Sequence, residues 1–157
     1  MLVAIIGAPL GGYIADRWRR KRINARLLLP TVTSLISAAL MFMAFSVFEG
    51  QTQYLLLISA GISITAFVAA AAAVTQDVVH AGMRAISYAI AVIIQNLLGA
   101  SLGPIVMGAI SDATNIETAL AFLPLSMLVA AGFFFAGSFY YAKDLSKVEK
   151  VVIEAID

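Results

Sequence analysis

The sequence has no cysteine and a single histidine, His80. This excludes a disulfide scaffold, a thiolate metal site and a cysteine nucleophile, and it argues against any metal centre. Charge is scarce too. Asp, Glu, Lys and Arg make up 12% of the chain, against 62% hydrophobic residues; ordinary globular proteins carry about 25% charged residues. A soluble fold of 157 residues has more surface than so few charges can cover. A net charge of +1 argues against a nucleic-acid partner. No acid–base pair or nucleophile constellation lies within an apolar stretch, so neither an enzyme nor a cofactor is indicated. What remains is an all-α integral membrane protein whose first partner is the lipid bilayer.

What the chain has in quantity is long runs without charge, at 1–15, 27–48, 50–76, 85–111 and 118–142. A helix needs roughly 20 residues, at ~1.5 Å each, to cross ~30 Å of hydrocarbon. All but the first run meet that length. Barrel strands would alternate polar and apolar residues, whereas Ala69 to Ala73 is continuously apolar. The runs predict four complete transmembrane helices, at about 27–48, 54–76, 85–111 and 118–142. Residues 1–15 would span only about 22 Å as a helix. A signal peptide carries its positive charge before the apolar run, whereas here Arg17 to Arg22 follow it. The expectation is a partial transmembrane helix whose beginning precedes Met1.

Basic residues set the orientation. Arg17, Arg19, Arg20, Lys21, Arg22 and Arg26 fall in a basic loop at 16–26. If that loop is cytoplasmic, the ends alternate, and all ten basic residues fall inside. The outer turns carry Glu49, Asp112 and Glu117. The 143–157 tail is then cytoplasmic. Its Leu145, Val148 and Val152 recur at helical spacing, which suits a short amphipathic helix on the inner surface or a frayed terminus. A plasma or bacterial inner membrane is the expected location.

The segment Gly12-Tyr13-Ile14-Ala15-Asp16-Arg17-Trp18-Arg19-Arg20-Lys21 is the most specific in the chain. A positive-inside anchor accounts for the arginines and Trp18. It does not account for Gly12 and Asp16 sharing a helix face. The segment resembles the cytoplasmic signature of the major facilitator superfamily. Gly12, Ala15, Asp16, Arg17, Arg20 and Lys21 match, Ile14 is conservative, and Arg19 stands where the family has glycine. In that family the signature follows helix two and, more weakly, helix eight. The resemblance implies a half-bundle of the family fold, either helices two to six or helices eight to twelve. Gln76-Asp77-Val78-Val79, Arg84-Ala85, Asn96-Leu97-Leu98-Gly99 and Leu102-Gly103-Pro104 resemble the end of helix ten, an inner loop and helix eleven. That favours a C-terminal half beginning within helix eight. Its glycine-proline pattern is also similar to the helix-five signature of facilitator antiporters, and the whole is faintly similar to spinster-like members. The implied activity is transport of a small organic solute by alternating access, with the missing N-terminal half as partner.

Candidate site residues follow. Gly12, Asp16, Arg17, Arg20, Lys21, Asp77 and Arg84 are expected at a cytoplasmic gate. The resemblance implies that Asp16 ties the two halves together. Asp77 is otherwise odd, since an acid near a helix C-terminus is unfavourable. Polar and aromatic residues at membrane depth are substrate-lining candidates: Ser59, Ser63, Phe67, Tyr88, Gln95 and Asn96. Gln95 and Asn96 serve equally well as hydrogen-bond partners for neighbouring helices. Thr31, Thr33, Ser34 and Ser37 are expected to bond back to their own helix. Gly7 with Gly11, Ala8 with Gly12, and Gly99 with Gly103 are small-residue pairs for close packing. Pro104, between Gly103 and Gly108, predicts a bend. No ionisable residue lies mid-segment, so if the transport is proton-coupled the titrating group is expected in the missing half. Two other classes compete: a non-transporting accessory membrane subunit, and a small oligomeric four-helix transporter. The native product separates these. A tag after Asp157 is expected to mark a band of roughly two to three times 16.6 kDa in native membranes, as a two-halved transporter requires. A band at 16.6 kDa would remove the fragment expectation.

Overall fold

A computed structural model of the chain describes residues 2–20, 22 and 24–154. The described residues form five long helices and no strand. They are α1 (Leu2–Arg19), α2 (Ala25–Ser46), α3 (Gln51–Asp77), α4 (Arg84–Ala113) and α5 (Ile116–Glu154). A short 3₁₀ turn, Ala81–Met83, leads into α4. The middle of α4, Gln95–Ser101, is π-helical. Four helices, α2 to α5, are long and apolar enough to cross a membrane, and the protein is an all-α membrane protein on that ground.

Every helix outlasts its charge-free run or starts before it. α1 continues through Asp16, Arg17 and Arg19, where a loop from residue 16 was expected. α2 begins at Ala25 and takes in Arg26. α5 runs without a break to Glu154, so the tail continues the spanning helix and is not a separate element. The physical reason is shared. Charged side chains can reach water from the end of a helix by extending along it, so the backbone need not stop where charge begins. After Gly137 no glycine or proline interrupts the chain to Glu154.

Packing is centred on α2 and α3, which lie against each other. α5 also packs on α2, and α1 packs on α3. α4 is peripheral: its first half touches α3 and its second half touches α5. Among the described residues nine of the twelve buried apolar side chains are alanine. Large apolar groups point outward, with Phe133 76% and Ile105 66% exposed. A water-soluble core would invert this. In lipid, large side chains lose nothing by facing out, and small ones let backbones approach.

Gly7 and Gly11 carry the α1–α3 contact. A Cβ on Gly11 would stand 2.6 Å from both Cα and carbonyl O of Ala66. A Cβ on Gly7 would overlap the Thr65 hydroxyl and stand 2.6 Å from the Ile62 carbonyl. The pair Gly99 and Gly103 does not do this. Nothing lies within 4 Å of a Cβ at either position, nor at Gly12 or Gly108. α4 reaches α3 through the Ser87 side of the helix instead, where the Ser87 hydroxyl donates to the Thr75 carbonyl at 2.7 Å. Gly11→Leu is therefore expected to destabilise the detergent-solubilised protein by ~1–3 kcal/mol or more. Gly99→Ala should leave its thermal unfolding almost unchanged; equal losses would refute the close approach of α1 and α3.

Candidate functional site

Two helix ends, one starting turn and one passing helix meet at the basic end of the bundle. α1 delivers Asp16 and Arg19, α3 ends at Asp77, α2 begins beside Arg26, and α5 passes with Tyr141. The Arg26 guanidinium donates to both carboxylates. Its Nη2 reaches Asp16 Oδ1 at 3.0 Å, and its Nη1 reaches Asp77 Oδ2. Tyr141 donates its phenol to the same Asp77 oxygen at 2.7 Å. Arg19 stands 4.0 Å from the other Asp77 oxygen. Four helices are joined in this way by one shared arginine and one shared carboxylate.

Burial decides the character of the cluster. The Asp77 and Arg26 side chains are 11% and 13% exposed, whereas Asp16 is 68% exposed. The inner pair has left water and needs its partners. The outer carboxylate stays solvated, and its bond to Arg26 is worth little. Asp77 lies at a helix C-terminus, where the dipole disfavours it. Two donors from other helices offset that cost. Pro30 lacks an N–H to return to the Arg26 carbonyl, so that carbonyl has no helical donor from Pro30. Trp18, just ahead of the loop, packs against Ala15, Leu29 and Ala70 and seats the end of α1.

Of the expected gate residues, the structure brings together Asp16 and Asp77. Arg17, Arg20 and Arg84 are exposed and form no ion pair among the described residues. Lys21 lies outside the described residues, and Gly12 is not a contact point. The bridging residues, Arg26 and Tyr141, are ones that sequence reasoning did not single out. Arg26 was one of six basic residues in a loop, and Tyr141 closed an aromatic-rich run. A signal for Arg26 did exist: it stands apart from the arginine cluster, in helical register with Pro30, four residues on.

The expected substrate-lining residues separate into two groups. Phe67, Tyr88 and Gln95 line a cavity of about 250 Å³ between α3, α4 and α5, closed at one side by Phe134. Phe67 and Phe134 meet edge to face, with ring centroids 5.3 Å apart. Gln95 has no side-chain hydrogen bond among the described residues, and it lies in the π-helical turn. The others serve helices. Ser59 donates to Leu55 carbonyl at 2.9 Å, and Asn96 to Val92 carbonyl at 2.8 Å. Ser63 donates at 3.0 Å to the Thr33 carbonyl on α2. A larger cavity of about 500 Å³ lies between α2 and α5, lined by residues such as Leu35, Phe42, Phe122 and Leu128. It has almost no polar group to orient a solute, which a binding site needs.

The hydroxyls of α2 do not all behave alike. Thr31 and Thr33 bond back to Leu27 and Leu29, each at 2.9 Å. Ser34 and Ser37 are fully buried and have no hydrogen-bond partner among the described residues. The carbonyls they would reach four residues back are those of Pro30 and Thr33. The first already accepts from the Thr33 hydroxyl, the second from Ser63. No group of three or more His, Asp or Glu residues among the described residues is placed to hold a metal.

No protein-family model and no curated relative matches the chain.

The cluster generates a graded expectation. Arg26→Ala leaves Asp77 buried without its cation and is expected to cost ~3–5 kcal/mol. Tyr141→Phe removes one hydrogen bond to a charged group and is expected to cost ~1.5–3 kcal/mol. Arg20→Ala should stay within about ±0.5 kcal/mol. Thermal unfolding in detergent, followed by circular dichroism, measures the order. Equal losses for Arg20 and Arg26 would sink the assignment.

Proposed function

We propose that this chain is part of the C-terminal half of a facilitator-type secondary transporter. It supplies one wall of a solute path that opens alternately to the two sides of the membrane. The observation that carries this is the Asp16–Arg26–Asp77–Tyr141 cluster. It lies where the signature-like segment meets the membrane surface, and it ties four helices at that end alone. A set of charge-assisted bonds confined to one end is a two-state element: made, it closes that end; broken, it lets the helices separate. By their order along the sequence, all ten basic residues fall in segments on this side of the spanning runs, which is then cytoplasmic.

The cavity above the cluster supports a solute class. It offers aromatic faces from Phe67, Tyr88 and Phe134 and one amide from Gln95, and no charged group lines it. An uncharged or amphipathic organic solute fits; a bare inorganic ion, which would need full replacement of its hydration shell, does not. α4 is suited to movement. None of its residues is buried, its centre is π-helical, and Pro104 follows three residues later.

A second reading, a non-transporting accessory subunit, draws on the same exposed α4. A photo-crosslinker at Leu98 or Ile105 in native membranes separates the two. Adducts within one longer polypeptide support the transporter half, whereas adducts to a separate protein support the accessory subunit. In flux assays on the native product, Gln95→Ala and Phe67→Ala are expected to raise KM for an uncharged amphipathic solute about tenfold. Arg26→Ala is expected to change the rate with little effect on KM. Unchanged flux in all three variants would overturn the transport reading.

A further inference from the structure

Among the described residues, the carboxylates at the basic end already have partners. Arg26 holds Asp16 and Asp77, and Arg19 approaches Asp77 at 4.0 Å. Arg17, Arg20 and Arg22 are exposed and have no ion pair among the described residues. Arg17 lies in the last turn of α1, and Arg20 follows in the turn that ends it. Arg22 follows at once, its backbone N–H returning to the Trp18 carbonyl at 3.1 Å. Trp18 packs against Ala15, Leu29 and Ala70. The arginines are thus held at the rim of the helix bundle and do not hang from a loose tail. The remaining ion pair at this end, Lys147 with Asp144 at 3.3 Å, lies within α5 and does not reach them.

We propose that Arg17, Arg20 and Arg22 form a docking surface for anionic phospholipid headgroups of the leaflet at the basic end. The position is right: these residues lie at the end of α1 and just before α2, a helix long and apolar enough to cross the bilayer, which sets them at the water-facing end of a span. The charge is right, since the nearby acids are already engaged. The chemistry is right, because a guanidinium fork matches a phosphodiester with two parallel hydrogen bonds, which an ammonium cannot do. Orientation during insertion requires only that the charges exist. Lipid docking also requires that they stay unpaired after folding, which is how the structure leaves them. The proposal stands apart from the transport reading; it holds for a transporter half and for an accessory subunit alike.

The test is native mass spectrometry of the full native protein in detergent, titrated with phosphatidylglycerol or phosphatidylcholine. Phosphatidylglycerol adducts are expected at far lower lipid concentration than phosphatidylcholine adducts, and added salt should weaken them. The combined variant Arg17→Gln, Arg20→Gln, Arg22→Gln should lose about a hundredfold in phosphatidylglycerol binding, at roughly fivefold per charge. Phosphatidylcholine binding should not move, which shows that the variant is folded. A combined Arg→Lys variant at the same positions keeps the charge without the fork and should lose only part of the preference. Equal adducts from the two lipids, or an undiminished preference in the glutamine variant, would overturn the proposal. So would displacement of phosphatidylglycerol by inorganic phosphate at equal concentration, since the ligand would then be the free ion. If the glutamine variant does not fold, the salt titration on the wild-type protein decides, and a salt-insensitive preference overturns the proposal.

Discussion

One guanidinium closes the basic end of this bundle. Arg26 stands at the first turn of α2 with a carboxylate from α1 on one side and a carboxylate from α3 on the other. Its position follows from the helix it begins. Had α2 started two residues later, the arginine would lie in the connecting segment and both acids would face water. Asp77 depends on it most, because a buried carboxylate at a helix C-terminus has the dipole against it. Tyr141 completes the arrangement from α5, which also meets α2, the outer half of α4 and, through Phe134, Phe67 of α3. The charged groups that hold the helices together are therefore few, and they are all at one end. Elsewhere cohesion comes from backbone proximity, from the Ser63 and Ser87 hydroxyls bonded to carbonyls of neighbouring helices, and from the Phe67–Phe134 contact.

That proximity has its own logic. The interior is alanine, serine, threonine and glycine, and the exterior is phenylalanine, leucine and isoleucine. Such a pattern only makes sense where the surrounding solvent is itself hydrocarbon. It also explains the hydroxyls of α2. In a helix at membrane depth the carbonyl four residues back is the default acceptor. Thr33 and Ser63 take the acceptors that Ser34 and Ser37 would use. Two buried hydroxyls are left over, a local cost of close packing between α2 and α3.

Much of this was legible from the chain alone, and the reasons it was or was not are physical. The spanning helices were visible because hydrocarbon demands long runs without charge. Helix ends were not, because arginine and lysine can lie along a helix and still reach water. Hence Asp16, Arg19 and Arg26 were read as loop residues while they occupy helical turns. Asp77 stood out because a lone acid at a helix end needs an explanation. Its partners did not stand out. Arg26 and Asp77 are far apart in sequence, and no local spacing connects them. Basic residues near a membrane are also so often topological that the one with a structural role is hidden among the others. Phe67, Tyr88 and Gln95 share a cavity, while Ser59 and Asn96 satisfy their own helices. Polarity at membrane depth marked all of them, and only packing separated them.

The π-helical turn of α4 amounts to one extra residue wound into an otherwise regular helix. Each residue advances an α-helix by about 100°. The outer half of α4, with Pro104 and Ile105, is therefore rotated by roughly that angle from where an unbroken α-helix starting at Arg84 would place it. The stripe of α4 that meets α3 and the stripe that meets α5 are consequently different stripes of one helix. Removing a single residue between Gln95 and Ser101 would align them again, and α4 could then follow one neighbour along its length but not both. The added residue works as a phase shifter, letting a single rod serve two partners that lie in different directions.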